Sequence, residues 1–412
     1  MNNFFKKNIS VIIAFIPLII LQIVNILLYY FVIKKFNSSI VTEFSLALTF
    51  STTFSSFAYF GINNIFIRDK SAKPDITKNK VYFESTLLMS FFSCVIFNLI
   101  LFFIYKNYSF IFLLMTVISF LIIQLNLIIS ELRFNSKDFS MVLPYLYVFL
   151  LLTISFGYLY FIEIELESIL GIIVLFYFIL NLVGFWYAGY EFRGFSFIKI
   201  FDFLKKNFKI LAMITTSSLL LNLSTYLDKY ILEFSNIFDI SYFLSFRHAS
   251  LINFLVFMPL TIYWTKHKFA FNDYVLKISN FLKVSIILFF SGMIIGLFLY
   301  YIFFEINFYD SKFHMHWANL VFFFFFFFFQ FLNTILDFPF YQFENQYYFI
   351  KSSLLQAISF LFFSFMYFKY GGVIEYYGVI MLVTSLLPIM FMLFVIVKRK
   401  NEIFLHINKS LE

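Results

Sequence analysis

Apolar runs of bilayer length recur from one end of this chain to the other, and no other feature restricts its fold as much. A helix rises about 1.5 Å per residue, so about 20 apolar residues cross about 30 Å of hydrocarbon. Twelve such runs are separated by short polar breaks: Ile9–Ile33, Ile40–Ile67, Val81–Tyr105, Ser109–Leu132, Ser140–Phe161, Ser168–Tyr190, Ile210–Leu232, Asp239–Thr265, Phe281–Phe303, Trp317–Phe338, Ser352–Phe368 and Tyr377–Val397. Backbone polar groups in hydrocarbon must be satisfied within the segment, which a helix achieves. The expectation is an all-α polytopic membrane protein with about twelve transmembrane helices. A 412-residue chain that is 62% hydrophobic and 13% charged has too little polar surface to wrap a soluble core. No break is long enough for a separate aqueous domain.

The first run follows Lys6 and Lys7 and is too long for a signal-peptide core, so it reads as a retained span. The single cysteine, Cys94, excludes an intramolecular disulfide and a thiol metal cluster, and reads as a small buried hydrophobe. The run Phe322 to Phe329 reads as lipid-facing filler within a span.

A net charge of +8 would suggest nucleic acid for a soluble protein, but here the bases sort into loops. With the N-terminus inside, 23 of the 30 Lys and Arg fall in inner segments and 5 in outer ones. The other two, Lys229 and Arg247, lie within spans. Such asymmetry places both termini in the cytoplasm. The outer loop with Glu163, Glu165 and Glu167 carries no base.

The longest break, Glu191 to Lys209, divides the chain into an N-terminal six-helix lobe (1–190), a basic, partly amphipathic cytoplasmic linker (191–209) and a C-terminal six-helix lobe with a short tail (210–412). An internal repeat points the same way. At an offset of 199, Phe31, Val32, Ile33, Asn37, Val41, Thr42 and Phe44 fall on Tyr230, Ile231, Leu232, Asn236, Ile240, Ser241 and Phe243.

Polar residues within spans are costly in lipid and should face protein or water. Span 2 carries Ser45, Thr49, Thr52, Ser56, Tyr59 and Asn63 on one helical face; span 1 carries Gln22, Asn25 and Tyr29. Span 7 has Ser218, Asn222, Thr225 and Lys229, flanked by Asp228; span 10 has Gln330, Asn333 and Asp337. Two readings compete: hydrogen bonding between helices, and a hydrophilic cavity. Arg247 lies about 12 Å into span 8, too deep to snorkel freely. It either pairs with Asp228 across the hairpin of spans 7 and 8 or meets an anionic ligand. Lys229 either snorkels outward or reaches the same cavity. His248, beside Arg247, is a weaker candidate. The five histidines form no metal-ligand cluster, no P-loop is present, and no catalytic constellation or cofactor site is expected.

These features resemble the polysaccharide lipid flippases (O-antigen type, Wzx-like) of the multidrug/oligosaccharidyl-lipid/polysaccharide (MOP) exporter superfamily. Length, twelve spans and two related halves carry the likeness over nearly the whole chain. Local marks are Gly61 through Arg68, Tyr226 through Leu232, Ile240 through Phe243, and Pro259. Asn37, Ser38 and Ser39 stand in the outer turn after span 1, where the family usually has a glycine. The resemblance implies a MATE/MOP-like fold of two lobes related by a pseudo-two-fold repeat. It implies alternating access and a polyprenyl-diphosphate-linked glycan as substrate, in the bacterial cytoplasmic membrane. It further implies membrane lipids, a polysaccharide polymerase and chain-length proteins as partners, with no nucleic acid. Arg247 and Lys229 would contact the diphosphate, Asn25, Asn63 and Asn222 would line the cavity, and Asp228 would carry a coupling ion or a structural pair. Rival readings are a cation-coupled multidrug exporter of the same superfamily, a membrane polysaccharide polymerase, and a structural scaffold.

Overall fold

A computed structural model describes residues 31–58, 61–62, 65–66, 79–105, 108–134, 164–188, 196–235, 239–265, 271–305, 316–342 and 346–398. Most of the first predicted span, all of the fifth, and the candidates Asn25 and Asn63 lie outside these residues.

The described chain is helical: α1 (Ser38–Ala58), α2 (Asn79–Ile104), α3 (Phe110–Phe134), α4 (Leu166–Ala188), α5 (Phe197–Phe234), α6 (Ile240–Thr265), α7 (Phe271–Glu305), α8 (Trp317–Gln342), α9 (Gln346–Lys369) and α10 (Gly378–Lys398). Among the described residues nine helices, all but α1, are long and apolar enough to cross a membrane. α1 is the less apolar helix of the Ser/Thr stripe. Its hydroxyls turn back on their own helix, as in Thr49 Oγ1 to the Ser45 carbonyl (3.0 Å) and Thr52 Oγ1 to the Leu48 carbonyl (2.7 Å). These hydroxyls are satisfied within α1 and not across helices, whereas Ser45 Oγ is buried without a partner among the described residues.

The chain divides into two compact units, 1–222 and 223–412, the boundary falling inside α5. Residues 197–209, within the predicted linker, form the first turns of that 38-residue helix. Their side chains alternate exposed Phe197, Ile198, Phe201 and Phe208 with Lys199, Lys205, Lys206 and Lys209. The 199-residue offset survives at the level of helix ends. The helix containing Phe31 ends at Lys35, and α5 ends at Phe234.

In the first unit α3 packs against α1, α2 and α4. Phe54 and Ala58 of α1 meet Ile123 of α3, walled by Cys94 and Phe97 of α2. Polar links join the helices: Gln124 Nε2 donates to Ser90 Oγ (2.6 Å), and Asn181 Nδ2 to the Leu121 carbonyl (3.0 Å). Such bonds hold helices together where lipid offers no hydrophobic drive. On the other side α2 exposes Phe91, Phe92, Ile96, Leu99, Phe102 and Phe103. A continuous apolar face of that size requires a lipid solvent.

In the second unit α8 is the central helix, packed against α6 and α10. Here the structure corrects the reading of the Phe322–Phe329 run. Phe323, Phe324, Phe326 and Phe328 are buried, and they form an aromatic core with Phe246, Phe257 and Phe289. Gly296 of α7 makes room for it, because a Cβ there would lie 2.4 Å from the Phe324 ring. At one end of the bundle Asn319 clips α10: its Nδ2 donates to the Ile374 carbonyl and its Oδ1 accepts from the Gly378 N–H, both at 2.8 Å.

Candidate functional site

The two segments quoted for the resemblance near spans 7 and 8 meet in the second unit. Asp228 and Lys229 lie near the end of α5, Tyr242 and Phe246 near the start of α6. Lys229 Nζ is 2.6 Å from Asp228 Oδ2, and both side chains are fully buried. Tyr242 Oη donates to the same carboxylate oxygen at 2.6 Å. The Phe246 ring covers the ammonium, its centroid 3.0 Å from Nζ. Tyr242 stacks obliquely on Tyr377, whose hydroxyl donates to Ser364 Oγ of α9 at 2.9 Å. Consecutive helix residues project about 100° apart and do not normally face each other. The lysine stem must therefore curl back around the helix. A buried ammonium has to find a carboxylate, and Lys229 finds that of Asp228. The ring faces of Phe246 and, further off, Tyr226, Tyr242 and Phe323 add cation–π attraction.

This arrangement decides several expectations. Lys229 does not snorkel outward; it is enclosed within its own bundle. Asp228 does not pair with Arg247, because its Oδ2 is taken by Lys229 and Tyr242. Its Oδ1 is buried without a hydrogen-bond partner among the described residues. Arg247 is half-buried, makes no ion pair among the described residues, and holds its Nε buried and unpartnered. Asn222, half-buried, donates its Nδ2 to the Ser218 carbonyl of its own helix at 3.0 Å. His248 is buried against Tyr300, with Nε2 2.9 Å from the Gly296 carbonyl, a packing role between α6 and α7.

One pair escaped the sequence reading. His316 Nε2, just before α8, donates to Asp239 Oδ2, just before α6, at 2.8 Å. Asp239 Oδ1 meanwhile accepts from the Ser241 N–H at 2.7 Å and so opens α6. The Asp239 bond raises His316 above its ordinary value of 6.5, against partial burial and with help from the Asp239 and Glu375 charges. Partial burial works to raise Asp239, but the His316 bond and the backbone donors outweigh it and hold the carboxyl below 3.8. The signal available in the sequence was only an acid and a histidine each abutting a span.

A groove of about 520 Å³ runs from Ile231 of α5 and Ser235 just after it to Leu361, Ser364, Phe365 and Lys369 of α9. Ser364 in its wall is the hydroxyl bonded by Tyr377, so the groove adjoins the polar network of the ion pair.

No protein-family model matches the sequence, and no curated protein matches it significantly. Solved structures do match, over nearly the whole chain. One is the eukaryotic MATE transporter AtDTX14, with a TM-score of 0.65 at 11% identity, covering 98% of this chain and 99% of that one. A multidrug resistance MATE family transporter in an outward-facing conformation gives 0.61 at 12% identity, covering 93% of each chain. A MOP superfamily transporter from Pyrococcus furiosus, for which a binding pocket of reverse polarity suggests a different function, gives 0.61 at 12% identity over 95% of each chain. Likeness at that identity speaks to architecture, and in architecture the chain has the fold of the MATE transporters of the MOP superfamily.

Proposed function

We propose that the protein is a flippase. It moves a polyprenyl-diphosphate-linked oligosaccharide, an O-antigen or related surface-polysaccharide unit, across the bacterial cytoplasmic membrane by alternating access. Both termini are cytoplasmic in this reading, as the sorting of Lys and Arg supports. The observation that carries it is Arg247. This guanidinium lies within a membrane-length helix and has no carboxylate partner among the described residues, because Asp228 is already engaged. An uncompensated cation at that depth favours an anionic ligand, and a guanidinium matches phosphate oxygens in a fork geometry. It disfavours cationic drugs, which would bring like charges together. Apolar side chains line most of the groove beside α9, as a lipid tail would need.

In this reading Asn25, Asn63 and Asn222 offer hydrogen bonds to sugars. The unpartnered Oδ1 of Asp228 is the place for a coupling ion. Lys229 neutralises Asp228 rather than touching the diphosphate.

The test uses proteoliposomes and a fluorescent polyprenyl-diphosphate oligosaccharide. Arg247→Glu should abolish transbilayer movement while the protein inserts at normal levels. Arg247→Lys should retain part of it, since charge is kept and the fork is lost. Full flipping by Arg247→Glu removes the residue from the mechanism. Uptake of cationic dyes in place of the lipid would overturn the substrate class.

A further inference from the structure

One face of α9 carries Ser352, Ser353, Gln356, Phe360 and Ser364 at helical spacing, each no more than 2% exposed. The remainder of the helix turns Leu354, Leu355, Ile358 and Phe362 outward. Ser364 is satisfied by Tyr377. The others are not: Ser352 Oγ, Ser353 Oγ and both amide atoms of Gln356 are buried with no hydrogen-bond partner among the described residues. On α8 the Asn333 Oδ1 is buried and likewise unpartnered among the described residues.

The neighbouring helices bring further unsatisfied groups to the same level. The Tyr377–Ser364 bond fixes the register of the antiparallel pair α9 and α10. Counting equally from that bond along each helix sets Gln356 level with Ser385 and Ser353 level with Pro388. Pro388 lies inside α10 and has no N–H, so the Thr384 carbonyl lacks its helical donor. The Asn319–Gly378 clip fixes α8 and α10 side by side in the same direction. Asn333 then lies about one turn beyond Pro388, toward the end of the bundle that carries Lys351 and Lys398.

Buried polar groups in proteins are almost always hydrogen-bonded, and a cluster of exceptions marks a missing partner. Its chemistry follows from the groups. A metal cation could satisfy the oxygens of Gln356, Asn333 and the serines, but it would leave the Gln356 N–H donors bare. Water both donates and accepts, and it suits a mixed set of this kind. We propose that these residues line a water-filled pocket inside the second unit, entered from the Lys351/Lys398 end. Phe360, edge-on to Tyr377 with ring centroids 6.1 Å apart, closes the pocket below the ion-pair network. Gln356 is about 15 Å from the start of α9 at Gln346, so the pocket carries water well into the membrane-length part of the bundle. The pocket follows from the buried unpartnered atoms and the helix register, and is independent of the flippase reading.

Cysteine accessibility tests it in a Cys94→Ser background, since the chain has one native cysteine. Ser352→Cys, Ser353→Cys, Gln356→Cys and the outward-facing Ile358→Cys are reacted in membrane vesicles with a charged, membrane-impermeant thiosulfonate. A thiol reacts as its thiolate, which needs water. Ser352→Cys, Ser353→Cys and Gln356→Cys should be modified at least tenfold faster than Ile358→Cys, and only from the Lys351/Lys398 face. The serine replacements are nearly isosteric, so their reading does not depend on whether Gln356→Cys folds. Rates at 352 and 353 as slow as at 358, with all sites reactive after denaturation, would make the pocket dry. Modification from the Lys369 face alone would overturn the entrance.

Discussion

Lys229 closes an ion pair with Asp228, its immediate neighbour in the chain, and not with any carboxylate across the helix hairpin. The pair is fully buried, and Tyr242 shares the same carboxylate oxygen. It follows that truncating one partner harms more than removing both. Asp228→Ala strands a buried ammonium and should cost about 3–5 kcal/mol. The double replacement Asp228→Leu with Lys229→Leu should recover most of that loss, because well-packed apolar residues often match a buried pair. Tyr242→Phe should cost about 1.5–3 kcal/mol, the value of a hydrogen bond to a charged group. Thermal unfolding of the purified protein in one detergent measures all three.

Gly61, at the start of the GINNIFIR segment, has φ +64°. A Cβ there would lie 2.8 Å from Ile214 of α5. Gly61→Ala therefore faces both left-handed strain of about 1–2 kcal/mol and a clash. Combining it with Ile214→Ala removes the contact with Cγ2 but leaves the Cβ of residue 214 at 2.8 Å and the backbone strain, so the double substitution should recover only part of the lost unfolding temperature.

The His316–Asp239 tie should respond to pH. A histidine whose pKa is raised on folding contributes stability that is complete below its unfolded value of 6.5 and disappears as pH rises through the higher folded value. A carboxyl lowered on folding contributes above 3.8 and loses that contribution as pH falls through its lower folded value. The tie is strongest between these limits and weakens on the alkaline side. Unfolding temperature measured from pH 5 to 9 should show this slope in the parent protein. In His316→Gln the slope should flatten; an unchanged profile would dissociate the tie from stability.

Phe323 and Phe362 offer a contrast within one residue type. Phe323 is fully buried beside Phe246, whereas Phe362 is 58% exposed on α9. Phe323→Ala should cost about 3–5 kcal/mol. Phe362→Ala, on a surface solvated by lipid or detergent, should change stability little.

The spans were legible because a bilayer imposes one length on every helix that crosses it. The predicted Phe281–Phe303 and Ser352–Phe368 differ from α7 (Phe271–Glu305) and α9 (Gln346–Lys369) only by polar turns that continue outside hydrocarbon. The same reasoning missed the turns of α5 before Ile210. A lysine-rich segment reads as a break, although helix continues where its backbone bonds are already in place.

Facing was not legible. A run of eight phenylalanines has no hydropathic period, so nothing in it distinguishes a lipid side from a core side. The contacts of α6 and α7 made the choice, and Gly296 made the room. Partner choice was not legible at Asp228 either: Arg247 across the hairpin was the expected partner, and Lys229 stands in its place. His316 and Asp239 lie 77 residues apart, and their meeting depends on α6 and α8 starting side by side. By itself, then, the sequence determined that helices span a membrane, and how its bases are distributed among the loops, because these depend only on local hydropathy and charge. The tertiary structure decided which carboxylate each cation meets and which polar atoms stay unpaired, because those depend on helix rotation and register, which local composition does not encode.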